Sequence, residues 1–183
     1  MRSRRTAFRI LLLLTLLWMG VIFWFSSRDA AESSSLSRGL LKGILSIIVP
    51  HWKQRSAADQ KAIIRAVHTL FRKLGHFSEF TVLGLLLAMT LRLFFKPDQI
   101  RRQTHPRLTG IALPALLALL YACSDEFHQR FVAGRSCELR DVCIDLAGAF
   151  CGILCCMLIL RVRKKRRLRR IQNGSPAQNR MIN

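Results

Sequence analysis

Acidic residues are scarce in this chain. Its 183 residues contain 10 Asp and Glu against 30 Lys and Arg, which gives a formal net charge of +20 at pH 7. At the same time 51% of the residues are hydrophobic, a combination that a compact soluble domain rarely shows. Apolar blocks separated by basic blocks explain both values, and this arrangement is typical of a helical membrane protein.

Familiar metal and nucleic-acid motifs are also missing. The chain has six cysteines and five histidines, but it contains no CxxC pair and no HExxH motif, so its spacings indicate no zinc site. The basic residues flank apolar runs and are not interleaved with aromatics. We therefore expect no metal, no other cofactor, and the lipid bilayer instead of nucleic acid as the partner.

Four apolar runs are long enough to cross about 30 Å of hydrocarbon, which takes about 20 helical residues. The first run follows a basic start and lacks an A-x-A-like cleavage site, so we predict an uncleaved helix with a cytoplasmic amino terminus. The basic stretch Arg161–Arg170 predicts a cytoplasmic carboxyl terminus as well, in the cell (plasma) membrane. The four spans are predicted at about residues 8–25, 74–95, 108–126 and 142–160.

The segment between the first two spans is polar at its beginning and amphipathic later. Its opening, residues 26–37, is predicted to be turn-like, and Leu36–Val49 is predicted to be a helix at the membrane interface. Apolar residues recur at helical spacing over Ala57–Leu74, which predicts an amphipathic helix on the outer leaflet. The predicted fold class is therefore all-α, a polytopic membrane protein with four transmembrane helices and an outer amphipathic helix segment.

This reading divides the chain into two parts. Residues 1–160 form the predicted membrane domain, and residues 161–183 form a basic cytoplasmic tail that is partly disordered over Ile171–Asn183. The short basic loop Lys96–Arg107 is predicted to be cytoplasmic.

Polar residues concentrate where the second, third and fourth spans reach the outer surface. His76 and Glu79 are three residues apart, and Asp141 and Asp145 are four apart, so each pair shares a helix face. Ionised groups at the edge of hydrocarbon need partners, water or a cavity. The candidate ligand-binding residues at this level are Lys73, His76, Glu79, Asp125, Glu126, His128, Gln129, Arg135, Asp141 and Asp145.

Three roles for this group remain open from spacing alone. It could be an ion-pair network, with Arg130, Arg135 and Arg140 opposite the acids, or a pocket for a polar ligand. It could also perform acid/base catalysis with His76, Glu79 or His128, although the spacing assigns no catalytic residue. Proton-coupled transport ranks last, because charged residues are missing at mid-membrane depth. The four-residue spacing of Gly148 and Gly152 predicts close helix packing.

Three motifs in order resemble the VanZ-like family of bacterial membrane proteins. K-x-x-H-F-x-E-F falls on Lys73–Phe80, S-D-E-x-H-Q-x-F-x-x-G-R on Ser124–Arg135, and D-x-x-x-D-x-x-G on Asp141–Gly148. After the first helix the family often shows an F-S-x-Q-like element, and this chain has Phe25–Arg28 there, so the glutamine is replaced by arginine.

The resemblance implies an integral membrane protein linked to the cell envelope. The family's namesake is associated with low-level resistance to the glycopeptide teicoplanin. Together with the one-sided polar group, this favours an outer-leaflet site for a polar, lipid-linked cell-envelope ligand. A membrane-embedded enzyme that uses the His and carboxylate side chains is the alternative.

Overall fold

The computed structural model describes residues 2–28, 30–95, 108–133, 135 and 138–174. Within these ranges the chain is helical, without strands. The described helices are α1 (Arg2–Ser26), α2 (Ala30–Ile48), α3 (Ala57–Phe94), α4 (Leu113–Gln129) and α5 (Leu139–Gly174), with a 3₁₀ turn at Trp52–Gln54 and a π-helical turn at Leu108–Ala112.

Four of the described helices are long and apolar enough to cross a membrane. They lie at Ser3–Ser26, Ala57–Phe94, Gly110–Gln129 and Leu139–Arg170, and each overlaps one of the predicted spans. Large apolar side chains such as Leu17, which is 58% exposed, cover their outer surfaces, as a bundle surrounded by lipid requires. The predicted all-α polytopic fold is confirmed.

Helix α3 is longer than the sequence predicts. It runs without interruption through 38 residues, about 57 Å at 1.5 Å per residue. The sequence predicts an amphipathic helix at Ala57–Leu74 that is separate from the span after it, but the structure joins them. The composition changes from amphipathic to apolar near Leu74 without a proline, and Gly75, a residue type that often ends a helix, lies inside α3.

Two further expectations at helix ends are corrected. The stretch predicted to be turn-like is helical from Ala30 onward, as the first part of α2. Helix α5 continues to Gly174, so the first four residues of the predicted disordered tail are helical. The remainder of that tail and the predicted cytoplasmic loop at 96–107 lie outside the described residues.

Helices α3 and α5 form the most extensive helix pair, and they run in the same direction. A Cβ added at Gly148 would overlap the backbone carbonyl of Phe77, and a Cβ at Gly152 would overlap the carbonyl of Thr81. Only the missing side chains allow the two backbones to approach this closely. The predicted packing role of Gly148 and Gly152 is confirmed, and Gly84 has the same role from α3.

Helix α1 packs antiparallel to α3 through polar contacts as well as apolar ones. Near its start, the Arg4 guanidinium donates to the carbonyl oxygens of Leu93 (3.1 Å) and Phe95 (2.7 Å). Midway along the pair, the hydroxyls of Thr15 and Thr90 are hydrogen-bonded at 3.0 Å in a buried position. These contacts set the register of the two helices.

The apolar core lies along the four spanning helices. Ile22 of α1, Phe80 and Leu83 of α3, Ala122 of α4 and Ala149 of α5 are fully buried in one cluster. Phe80 directly follows Glu79, so this core forms the floor of the polar region at the end of the bundle.

Candidate functional site

Buried carboxylates collect at one end of the bundle, where α1 and α4 end, where α5 begins and where α3 passes. Asp125 is 3% exposed, Glu126 is 2% exposed and Asp145 is fully buried. Asp125 lies within electrostatic range of both Glu79 and Asp145. The structure therefore brings together acids from three helices that are far apart in the sequence.

Asp125 is the centre of a hydrogen-bonded chain. Its carboxylate accepts from the Ser26 hydroxyl at 2.7 Å and from the Gln129 side-chain amide at 2.9 Å. Gln129 in turn accepts from the Arg135 guanidinium at 3.1 Å. This chain links the end of α1, the last turns of α4 and the loop before α5.

Arg135 is held mainly by uncharged acceptors. Besides Gln129, its guanidinium donates to the backbone carbonyls of Arg28 (3.1 Å) and Phe25 (3.3 Å). Burial, and then the neighbouring Arg72, lower the pKa of Arg135, but an arginine in a protein stays charged. Arg135 therefore brings a positive charge into the site that none of the described carboxylates contacts directly.

A second set of contacts fixes the start of α5. The Glu126 carboxylate accepts from the backbone N–H of Glu138 at 3.0 Å, where the helix dipole favours an anion. Lys73 on α3 forms an ion pair with Asp141 in the first turn of α5, with Nζ and Oδ1 2.6 Å apart. For these residues, the structure gives a packing role of the kind an ion-pair network would have.

Asp145 and His76 do not have such satisfied contacts. Nδ1 of His76 is 4.0 Å from Oδ1 of Asp145, which is too long for a hydrogen bond. Within the described residues, neither carboxylate oxygen of Asp145 has a hydrogen-bond partner. Buried polar atoms are normally paired with protein groups or water. Nδ1 of His76 and the carboxylate of Asp145 can therefore still form hydrogen bonds within the site.

A cavity of about 440 Å³ opens beside this pair. We call it the arginine pocket, because Arg28, Arg72 and Arg135 line it together with His76 and Glu79. Its apolar side is lined by Phe25, Leu40, Phe71 and Leu74. Charged groups and hydrocarbon-like side chains thus face the same space.

Some predicted residues lie elsewhere. The His128 ring stacks on Phe23 at 4.5 Å between centroids and is 3.2 Å from the Ser27 hydroxyl, beside a separate, shallow cavity. His128 and His76 therefore line different cavities. Arg130 and Arg140 are exposed and pair with none of the described carboxylates, whereas Lys73 pairs with Asp141.

Sequence reasoning missed Ser26, Arg28 and Arg72 as site residues. Arg72 precedes His76 by four positions, a spacing that places both on one face of a helix. Ser26 and Arg28 belong to the element at Phe25–Arg28, which the resemblance singles out after the first helix. The four-residue spacing could have identified Arg72, and the Phe25–Arg28 element could have identified Ser26 and Arg28.

Metal-ligating side chains are not grouped in the part of the chain that the structure describes. No set of three or more His, Cys, Asp or Glu side chains there is arranged to hold a metal ion. The chemistry available from the described side chains is hydrogen bonding, charge pairing and proton exchange at His76 and the carboxylates.

Comparison with known proteins identifies the family. No curated protein and no solved structure matches the chain. The sequence model of the VanZ/LLP1 family matches residues 11–161, which include most of α1, the site and the apolar part of α5. This chain therefore belongs to the VanZ/LLP1 family of membrane proteins.

Proposed function

We propose that this protein binds a polar, lipid-linked component of the cell envelope at the end of its helical bundle. The observation that carries the proposal is the arginine pocket, which is lined by Arg28, Arg72 and Arg135, by apolar side chains and by His76. Nδ1 of His76 and both carboxylate oxygens of the neighbouring Asp145 have no hydrogen-bond partner among the described residues. An ion-pair network alone has no need of such a cavity. A ligand with a charged head group and an apolar body would contact both the charged and the apolar side chains of the cavity.

We place the protein in the plasma membrane with both termini in the cytoplasm. The contact of Arg4 with Phe95 supports this orientation, because it puts the basic amino terminus at the end of the bundle opposite the site. The basic stretch Arg161–Arg170 belongs to the same end, and basic residues favour the cytoplasmic side. The site then lies in the outer leaflet, where envelope components are accessible.

The same proposal extends to glycopeptides. Since the VanZ-like namesake is associated with teicoplanin resistance, we expect expression of this chain to raise the teicoplanin concentration that inhibits a sensitive host. Glu79→Gln should abolish that effect while the inserted protein remains at its normal level. Loss of the protein itself from the membrane would instead assign Glu79 to packing.

Native mass spectrometry of the detergent-released protein tests the binding function. We expect wild-type protein to retain an adduct with the mass of a lipid, and Glu79→Gln to retain less of it. Asp59→Asn is the matched control, because Asp59 is an exposed acid on the same helix, outside the pocket. An unmodified wild-type mass, or equal adducts in both variants, would contradict the proposal.

A membrane-embedded enzyme is the second candidate function. It is favoured by the proximity of His76 to the fully buried Asp145, because a carboxylate behind a histidine can orient the ring and stabilise its protonated form. His76 lines the arginine pocket, so a bound substrate would meet it. Release of product from lipid-linked esters or phosphodiesters by purified protein, lost in Asp145→Asn, would support this candidate.

A further inference from the structure

Among its described lining residues, the arginine pocket has three arginines and one carboxylate, Glu79. Arg28 lies over the Trp24 ring at 4.0 Å, and Arg135 donates hydrogen bonds to uncharged acceptors. Arg72 has no carboxylate within ion-pair distance among the described residues, and it is close enough to Arg135 to repel it. Cations that converge in this way are stabilised by a bound anion.

The depth of the charges along α3 gives the anion a position. Arg72 precedes Glu79 by seven residues, about 10 Å of helix. Arg72 therefore lies toward the start of α3, and Glu79 lies closer to the apolar core. An anion held at Arg72 is separated from Glu79 by this length of helix, and Glu79 lines the same pocket, where it can accept a hydrogen bond from a hydroxyl or ammonium group of the same ligand.

The chemistry of the arginines selects among anions. A guanidinium presents parallel N–H donors that match two oxygens of a phosphate group, and clusters of arginine recur where phosphate is recognised. A phosphate also has enough oxygens to meet more than one guanidinium at once.

The apolar wall shows what must be attached to that phosphate. Leu40 is 66% exposed and Leu74 is 55% exposed, and both border the pocket beside Phe25. In a bilayer these side chains meet hydrocarbon, so the pocket is continuous with the acyl region on this side. A free phosphate ion would leave this wall unused.

We propose that the arginine pocket binds a phosphorylated lipid, with its phosphate on Arg72 and Arg135 and its hydrocarbon chain passing Leu40 and Leu74 into the bilayer. This inference rests on the proposed function, because it names the chemical class of the ligand that the same site binds.

Isothermal titration calorimetry on full-length protein in a non-ionic maltoside detergent tests the inference. The probes are dihexanoyl phosphatidate, inorganic phosphate and dihexanoylglycerol, which separate the phosphorylated lipid from its two halves. We expect phosphatidate to bind at least about tenfold more tightly than either half, a difference of about 1.4 kcal/mol in binding free energy.

Arg72 is the arginine to replace, because the described residues give it no hydrogen bond that the fold would lose. Arg72→Gln should weaken phosphatidate binding about tenfold or more, and Arg72→Lys should weaken it less, since the charge remains without the planar fork. Arg130→Gln is the matched control, because Arg130 is an exposed arginine outside the pocket, and it should bind like wild type. Heating curves of the three variants establish that each is folded.

Four results would overturn the inference. Inorganic phosphate that binds as tightly as phosphatidate would make this a free-anion site, and dihexanoylglycerol that binds as tightly would make it an apolar slot. A native adduct whose mass corresponds to a lipid without phosphorus would refute the phosphorylated class but leave the proposed envelope-ligand site standing. Absence of both the native adduct and phosphatidate binding would refute the two proposals together.

Discussion

The close approach of α3 and α5 predicts that a single methyl group at Gly152 will destabilise the protein. A Cβ at this position would lie 2.7 Å from the backbone nitrogen of Leu85 and 3.0 Å from the carbonyl carbon of Thr81. These are backbone atoms of the neighbouring helix, so they cannot rotate away as a side chain can. Ordinary contacts of about 3.5 Å or more require the two helices to separate by close to ~1 Å.

The magnitude follows from two opposing effects. Overpacking a tight interface costs about 1–3 kcal/mol, whereas replacing glycine by alanine within a helix gains up to about 1 kcal/mol from helix propensity. Gly20→Ala is the matched control, since nothing lies within 4 Å of a Cβ at Gly20 on α1. Gly152→Ala should therefore be less stable than Gly20→Ala by about 2 kcal/mol.

Heating of detergent-solubilised protein followed by size-exclusion chromatography measures this difference as an apparent melting temperature. For a chain of this size, about 2 kcal/mol corresponds to roughly 4–8 °C. Gly148→Ala should melt early as well, and because Gly148 lies against the Phe77 carbonyl, next to His76, it should also weaken ligand binding. If Gly152→Ala melted together with Gly20→Ala, the close packing of α3 and α5 described here would be refuted.

Three further predictions follow from other contacts. Lys73→Met and Asp141→Asn should each lower the melting temperature, and the double variant should lose less than the sum of the two, because one 2.6 Å ion pair accounts for both effects; additive losses would contradict the pairing. Ser26→Ala should cost about 1.5–3 kcal/mol, the range for hydrogen bonds to charged groups, by removing the 2.7 Å donor to buried Asp125, while Ser26→Thr keeps the hydroxyl and should lose less. A variant whose single cysteine is introduced by Arg130→Cys should react with a membrane-impermeant maleimide in intact cells, because position 130 is exposed and follows the last residue of α4 at the proposed outer end; labelling by a permeant reagent alone would reverse the proposed topology.

The number and placement of the spans could be predicted from the sequence because bilayer thickness sets the length of an apolar run. The extent of the helices beyond the bilayer could not. Helix α3 begins at Ala57, well before its apolar part, and α2 begins at Ala30 in a polar stretch. The apolar runs have the same length wherever α2 and α3 begin, so hydropathy does not predict the first residue of either helix.

The depth of the site along the bundle could be predicted for the same reason. Which side chains of each helix face the site could not. Helical spacing places His76 and Glu79 on one face, and topology brings Asp145 to the same level. Which cations join them depends on how the helices are rotated about their own axes, and in the structure Arg28 and Arg72 line the pocket. His128 on α4 packs against Phe23 instead.

Helix α1 is hydrogen-bonded to other helices near both of its ends. Arg4 binds the end of α3, and Ser26, about 33 Å away at 1.5 Å per residue, binds Asp125 on α4. Truncation of the first few residues, or a bulky fusion that displaces Arg4, would remove the contact with α3. Helix α1 could then shift along its axis. Ser26 would then move relative to Asp125. A change near the amino terminus would therefore alter the proposed binding site at the opposite end of the bundle.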